Sequence, residues 1–240
     1  MEPSASYTSI GEPLRGGVDA SRAMATQPAA LPGSTDPPPV PFDDPYRYPE
    51  RKTPASAMSA WVPPPPKCCY KKRIGRLYVF AANSDGSPRI IMGPCWPMWF
   101  LTFTLIAGPT TVVLAIFGSR LLYLWIPALC VALVTLVAFC ATGCRNPGIV
   151  PRHGEMNDND DLWDDRGQTY RPRYSMYDLE TGVVVEQVDH FCPWTGTLIG
   201  KGNILAFHVF TSSLCILCPF VAGILIWGIV TSISLPPNQN

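Results

Sequence analysis

The chain has 240 residues, with 18 basic and 18 acidic side chains and a formal net charge of zero. This balance creates no bulk positive field, so nucleic acid is not expected as a partner. Three long stretches, residues 90–119, 121–143 and 203–240, contain no Asp, Glu, Lys or Arg. Each holds about the 20 apolar residues that a helix needs to cross a bilayer, which excludes an ordinary soluble protein.

The N-terminal part of the chain is rich in proline. Residues 1–66 contain 15 of the 27 prolines, and such a segment cannot bury enough apolar surface to offset its ordering entropy. We therefore predict a disordered N-terminal region over residues 1–66. Residues 67–94 are predicted to form a basic juxtamembrane segment that contacts anionic lipid. Cys68 and Cys69 lie within it and either belong to that anchor or are themselves acylated.

Residues 95–141 predict two transmembrane helices, at 95–117 and 121–141, joined by a very short turn. The third apolar stretch runs over residues 204–233. A helix of this length spans about 45 Å against a bilayer core of about 30 Å, so one long, tilted helix is expected. The predicted fold class is an all-α multi-pass membrane protein with three transmembrane helices.

The orientation follows from the distribution of Lys and Arg. The flank at 67–89 and the loop at 142–203 carry six each, whereas the turn at 118–120 carries one and the tail at 234–240 carries none. Because cytoplasmic segments are enriched in Lys and Arg, the N-terminus and the loop are predicted to be cytosolic. The tail is then luminal or extracellular.

The loop ends in a group of residues suited to nucleophilic chemistry. Only a thiolate attacks well, a nearby imidazole can accept the thiol proton, and a carboxylate can orient that imidazole. Asp189, His190 and Cys192 supply these three groups within four residues, and Pro193 and Gly196 favour a turn beside them. We predict Cys192 as the nucleophile, His190 as the base and Asp189 as the residue that orients it. A Cys–His peptidase is disfavoured because this group abuts a membrane helix rather than a cleft.

These residues resemble the signature of the DHHC-type protein S-acyltransferases, in the form Asp189-His190-Phe191-Cys192-Pro193-Trp194 followed by Gly196, Ile199-Gly200 and Asn203. Residues 145–152, directly after the second crossing, are similar to the Asp-Pro-Gly motif of that family, with Asn146 in place of Asp. Members of the family usually have a fourth crossing, which would follow residue 240 in a longer chain or be missing in a reduced member.

The resemblance implies a palmitoyltransferase. Cys192 would accept a palmitoyl-type chain from acyl-CoA as co-substrate, and a thiol of a membrane-associated substrate protein would then displace it. The bilayer is a further partner, and the expected location is the endomembrane system (Golgi or endoplasmic reticulum) or the plasma membrane. The alternative is a catalytically weak scaffold or accessory subunit of another acyltransferase.

The sequence departs from the family at the metal-binding positions of the loop. The resemblance implies two zinc ions, but none of the matching positions is Cys or His: Asp164, Gly167, Tyr177, Asp178, Thr181, Val184, Phe191 and Leu198. Structural zinc requires four N or S ligands. We therefore expect no zinc and no other cofactor, with an apolar contact where the metal would lie.

Overall fold

The structure is a computed structural model that describes residues 41–49, 65–117, 122–158 and 160–234. The predictions made for residues 1–40, for residues 50–64, for the turn at 118–120 and for the tail at 235–240 lie outside the described residues.

Three long helices dominate the structure: α1 (Trp96–Phe117), α2 (Leu122–Cys144) and α3 (Ile204–Ser234). Each contains a stretch long and apolar enough to cross a membrane, judged by length and composition. Helix α3 is continuous over 31 residues, with Pro219 inside it, and extends about 46 Å at a rise of about 1.5 Å per residue. Single, uninterrupted helices therefore form over all three apolar stretches.

The three helices pack around aromatic side chains. Phe139 of α2 is fully buried, and its ring centroid lies 5.3 Å from that of Trp99 on α1 and 5.1 Å from that of Phe210 on α3. Such stacked and tilted ring pairs add to the packing energy of the apolar surface. One residue of α2 therefore contacts both other helices near the ends that face the loop.

The all-α prediction is wrong, because nine short strands lie in the described residues outside the helices. The strands are β1 (Lys72–Ile74), β2 (Leu77–Ala82), β3 (Pro88–Met92), β4 (Leu162–Asp164), β5 (Thr169–Arg171), β6 (Ser175–Asp178), β7 (Val183–Glu186), β8 (His190–Cys192) and β9 (Thr197–Ile199). Strands β1–β3 form an antiparallel meander, and the other six form three antiparallel hairpins. Strands of three to six residues contain too few positions to show a period of two in the sequence.

The segment predicted as a basic juxtamembrane flank, 67–94, is mostly this meander. Its apolar residues Ile74, Leu77 and Val79 are at most 2% exposed. The turn between β1 and β2 contains Gly75 at φ +55°, and a Cβ there would lie 2.5 Å from the carbonyl oxygen of Thr181. Glycine is therefore required for the meander to approach the loop this closely.

The meander and the loop share one apolar core. Strand β7 supplies its centre, since Val183, Val184 and Val185 are fully buried. The other members are Tyr46, Tyr48, Ile74, Leu77, Val79, Ile91, Ile149, Val150, Tyr177 and Leu198, with Val188 and Phe191 packed against them. Burial of this surface stabilises segments that are far apart in the sequence but form one folded unit beside the helices.

Part of the region predicted to be disordered is packed against the loop. Residues 41–49 contribute Tyr48, which is 3% exposed and donates a hydrogen bond from its hydroxyl to the carbonyl oxygen of Val150 at 2.5 Å. Burial raises the pKa of Tyr48. The disorder prediction is wrong for these residues because their aromatic side chains supply the apolar surface that their prolines do not.

Arg152 ties residues 41–49 to the loop. Its guanidinium is 2% exposed and donates hydrogen bonds to the carbonyl oxygens of Gly167 at 3.1 Å, Gln168 at 3.2 Å, Pro41 at 3.4 Å and Arg47. The same guanidinium lies 4.7 Å from the centroid of the Phe42 ring. Burial lowers the pKa of Arg152. A single buried cation therefore holds three segments together through their backbone.

Replacing Arg152 by Met should lower the stability of the folded protein by about 2 kcal/mol or more, because buried carbonyl groups lose their donor. Thermal denaturation in detergent micelles measures this effect. Arg173→Met is the matched control, since Arg173 is exposed. Equal transition temperatures for the two variants would contradict the role assigned to Arg152.

Candidate active site

The residues singled out by the sequence lie on the β8–β9 hairpin. Its strands pair His190 with Ile199, Phe191 with Leu198, and Cys192 with Thr197. The turn between them is closed by a hydrogen bond from the Gly196 amide to the Pro193 carbonyl oxygen at 3.0 Å, and Gly196 adopts φ +73°. Pro and Gly thus provide the turn that the sequence predicts, with Gly in the left-handed position that other residues disfavour.

Alternation along β8 separates its side chains onto two faces. Phe191 packs against the shared apolar core together with its partner Leu198. His190 and Cys192 therefore lie on the opposite face, with Cα atoms about 6.6 Å apart. Cys192 is 8% exposed, so its thiol is largely shielded from water.

Two neighbours hold the imidazole of His190. The Asp189 carboxylate lies 3.3 Å from Nδ1 of His190, and both side chains are about half exposed. The ring of Phe207, on α3, meets the imidazole edge to face with centroids 5.1 Å apart. A carboxylate at Nδ1 favours the proton on that nitrogen and leaves Nε2 to accept one.

The turn of this hairpin is seated against the helix ends. A Cβ on Gly93, just before α1, would lie 1.9 Å from the carbonyl oxygen of Gly196. A Cβ on Gly143, near the end of α2, would lie 2.4 Å from the indole of Trp99 and 2.9 Å from the Thr195 carbonyl oxygen. Because these glycines have no side chains, the turn can pack directly against the start of α1 and the end of α2.

A buried amide joins the hairpin to the helices on its other side. Asn203 is fully buried and its Nδ2 donates to the carbonyl oxygens of Thr142 and Leu198, both at 3.0 Å. Its Oδ1 accepts from the Gly200 amide at 2.9 Å. One side chain thereby connects the end of α2, strand β9 and the start of α3.

The side chain of Asn146 stabilises the turn that follows α2. Its Oδ1 accepts hydrogen bonds from the amides of Gly148 at 3.0 Å and Ile149 at 2.9 Å. This turn packs against the hairpin end, where a Cβ on Gly202 would lie 2.2 Å from the Asn146 carbonyl oxygen. A side-chain acceptor is all that the turn requires, so Asn serves where the family has Asp.

Carboxylates close two turns at the positions that the resemblance assigns to metal. Asp164 Oδ1 accepts from the amides of Arg166 at 3.1 Å and Gly167 at 2.8 Å. Asp178 Oδ2 accepts from both the amide and the hydroxyl of Thr181 at 2.7 Å. Burial raises the pKa of Asp178, although the hydrogen bonds from Thr181 act in the opposite direction.

The remaining metal positions are apolar or lack a ligating side chain. Val184 and Leu198 are at most 1% exposed, and Tyr177 lies in the same core. Structural zinc is held by four Cys or His side chains, and these residues do not fit it. Within the described ranges, no three His, Cys, Asp or Glu side chains converge as a metal site would require.

The structure brings Asp189 into contact with His190 and places Cys192 on the same strand face. The positioning residues Phe207, Gly93 and Gly143 are not apparent from the sequence, because they lie in or beside apolar helices where they resemble ordinary packing residues. Asn203 is the exception, since a lone amide at the start of an apolar helix indicates a specific hydrogen-bonding role.

Comparison with known proteins finds similar sequences among protein S-acyltransferases. The DHHC palmitoyltransferase profile matches residues 159–237, which contain all three hairpins and the whole of α3. Related proteins include the probable protein S-acyltransferase 7 of Arabidopsis thaliana, 27% identical over 67% of this chain and 47% of its own length. Protein S-acyltransferase 8 of the same plant is 27% identical over 55% of this chain and 43% of its own length. Palmitoyltransferase ZDHHC5-B of Danio rerio is 30% identical over 36% of this chain and 16% of its own length.

The apolar helices define a membrane protein, and its residues 159–237 are similar to the DHHC palmitoyltransferase family. The chain spans about half the length of the Arabidopsis relatives that it matches.

Gly93→Ala should destabilise the protein by about 1–3 kcal/mol, because the new methyl group would overlap backbone atoms of Gly196 that cannot rotate away. Thermal denaturation in detergent is again the measurement. Gly108→Ala is the matched control, since a Cβ at Gly108 in α1 meets no atom within 4 Å. An unchanged transition temperature for Gly93→Ala would show that the turn is not seated at this depth.

Proposed function

We propose that this protein is a protein S-acyltransferase in which Cys192 carries the acyl group. The observation that carries the proposal is the β8–β9 hairpin, which holds Cys192 and the Asp189–His190 pair beside a turn seated where α1 begins and α2 ends, with His190 against Phe207 of α3. A nucleophile at that position can meet the thioester of a donor whose chain lies in the membrane. The match to the DHHC palmitoyltransferase profile and the names of the relatives support the same reaction class.

In the first step, Nε2 of His190 accepts the proton of the Cys192 thiol, and the thiolate attacks the carbonyl carbon of acyl-CoA. The new carbon–sulfur bond to Cys192 forms as the bond to the sulfur of coenzyme A breaks. The coenzyme A thiolate leaves and takes the proton back from His190. Asp189 stabilises the charged imidazolium between these events.

In the second step, a cysteine thiol of a substrate protein attacks the acyl-Cys192 thioester. His190 accepts the proton of the incoming thiol and returns it to the Cys192 sulfur as that group leaves. One thioester is exchanged for another, so the step is nearly balanced in energy and the protein contributes positioning and a thiolate. Palmitoyl-CoA or a similar donor and membrane-associated proteins with accessible cysteines are the proposed substrates.

The orientation belongs to the same proposal. The six Lys and Arg residues in each of the segments 67–89 and 142–203 support a cytosolic location for the meander and the loop. Acyl-CoA and reduced substrate cysteines are both available in the cytosol. The host membrane is proposed to be in the endomembrane system or to be the plasma membrane.

We further propose that the loop folds without zinc. Two observations at the positions that the resemblance assigns to zinc ligands support this. The carboxylates of Asp164 and Asp178 accept hydrogen bonds from backbone amides and so close two turns. Val184 and Leu198 are buried in the apolar core. Hydrogen bonds and buried apolar surface would then supply the stability that metal binding supplies in small zinc modules.

Purified protein incubated with a labelled long-chain acyl-CoA should become labelled at Cys192 through a hydroxylamine-sensitive bond. Cys192→Ala should abolish the label, and His190→Ala should slow labelling by about 100-fold or more because general-base catalysis is lost. Peptide mass spectrometry locates the label.

Cys140→Ala is the matched control, since Cys140 is a partly buried cysteine of α2 in the apolar core of the helices. Label that persists in Cys192→Ala would reject Cys192 as the acyl carrier. Folded wild-type protein that takes up no label would favour the alternative function, an accessory subunit of another acyltransferase.

Treatment with a strong zinc chelator should leave the melting temperature and the labelling rate unchanged. Elemental analysis of the purified protein should find zinc well below one atom per chain. A zinc enzyme treated in parallel verifies that the chelator is effective. Stoichiometric zinc, or a melting temperature that falls on chelation, would contradict the proposal.

A further inference from the structure

Thr197, the first residue of β9, has a buried hydroxyl with no hydrogen-bond partner. The residue is fully buried, and its Oγ1 is one of four buried side-chain polar atoms without a partner in the described part of the chain. The others belong to Trp99, Thr102 and His153, so Thr197 is the member of this group on the β8–β9 hairpin. Buried hydroxyls nearly always have partners, because an unpaired one costs about 1–3 kcal/mol.

The strand register places this hydroxyl opposite the nucleophile. Thr197 is the direct cross-strand partner of Cys192. Side chains of directly paired residues project from the same face of an antiparallel pair, with Cβ atoms about 4.5–5.5 Å apart. Thr195, two residues earlier, differs in that its hydroxyl already donates to the Cys192 carbonyl oxygen at 3.2 Å. The Thr197 hydroxyl is therefore available to the side chain of Cys192.

The chemistry at Cys192 creates a need for such a donor. Once the proton has moved to His190, the sulfur carries a negative charge in a position that is only 8% exposed, where few water molecules can solvate it. A charge-assisted hydrogen bond is stronger than a neutral one. A hydroxyl that has no partner while sulfur is a thiol would acquire one when the thiolate forms.

We infer that Thr197 is a catalytic residue whose hydroxyl donates a hydrogen bond to the Cys192 thiolate. Thr197 keeps its own proton throughout, and the thiol proton goes to His190. A purely structural residue would be expected to be apolar here, because the next two residues of β9, Leu198 and Ile199, are both buried. Valine would fill the same volume without a buried polar group.

The inference rests on the proposed function only in taking Cys192 as the nucleophile. It can be tested without acyl-CoA, by the rate at which Cys192 is alkylated by iodoacetamide at one fixed pH. In this reaction the sulfur displaces iodide and the thiol proton is lost, so the rate reports on thiolate formation directly. Mass spectrometry of the Cys192 peptide measures the rate, and the exposed Cys69 in the same sample is the internal reference.

The variants are Thr197→Val, Thr197→Ala and Thr197→Ser in the full chain. Loss of the hydroxyl in Val or Ala should slow alkylation of Cys192 by about tenfold, the effect of one hydrogen bond to a charged group. Serine keeps the hydroxyl and should react within about twofold of wild type. Thr135→Val is the matched control, since Thr135 is fully buried in α2 and its hydroxyl already donates to the Val131 carbonyl oxygen.

Unchanged alkylation in both Val and Ala variants would overturn the inference. Equal slowing in Ser and Ala would also overturn it, because the methyl group rather than the hydroxyl would then matter. If Thr197→Val fails to fold, the comparison of Ser with Ala decides. Failure of wild-type autoacylation would reject the proposed function and leave the alkylation result to stand by itself.

Discussion

A hairpin with three or four residues in each strand buries too little apolar surface to be stable in water by itself. The segment between α2 and α3 consists of three such hairpins, so its shape depends on a core that the hairpins cannot build alone. Strand β7 provides the centre of that core with Val183, Val184 and Val185, and the N-terminal meander covers it with Ile74, Leu77, Val79 and Ile91. The loop is thus half of a folded unit, and the other half precedes the first membrane helix.

The same unit is connected to the helices by contacts that leave little freedom. Asn203 hydrogen-bonds to the end of α2 and to β9, while glycines at positions 93 and 143 admit the turn of the β8–β9 hairpin. Phe207 of α3 touches His190 directly. The position of Cys192 therefore depends on the arrangement of the helices as well as on the hairpin, because any shift of the helix ends would move the hairpin that carries the thiol.

The positions that the family resemblance assigns to metal show how one set of constraints can replace another. A cysteine that ligates zinc at the start of a short turn also accepts hydrogen bonds from backbone amides. A carboxylate at the same position can accept those hydrogen bonds without a metal. Asp164 and Asp178 do this in two successive turns. Val184 and Leu198, at two other such positions, are buried and apolar, and buried surface offers stability without a metal. This account belongs to the proposal that the loop folds without zinc.

The sequence by itself determined the three membrane helices, because about 20 uninterrupted apolar residues have few other stable states. Its chemistry and spacing also predicted Asp189, His190 and Cys192 as the site, which stays a prediction. It did not predict the strands, which are too short to show a period, or the packing of residues 41–49, whose proline content suggested disorder. Only the tertiary structure decided that Phe207 contacts the imidazole, that Gly93 admits the turn and that Thr197 faces Cys192. These relations join residues through strand register and helix packing, which arise from long-range contacts that no local pattern in the sequence records.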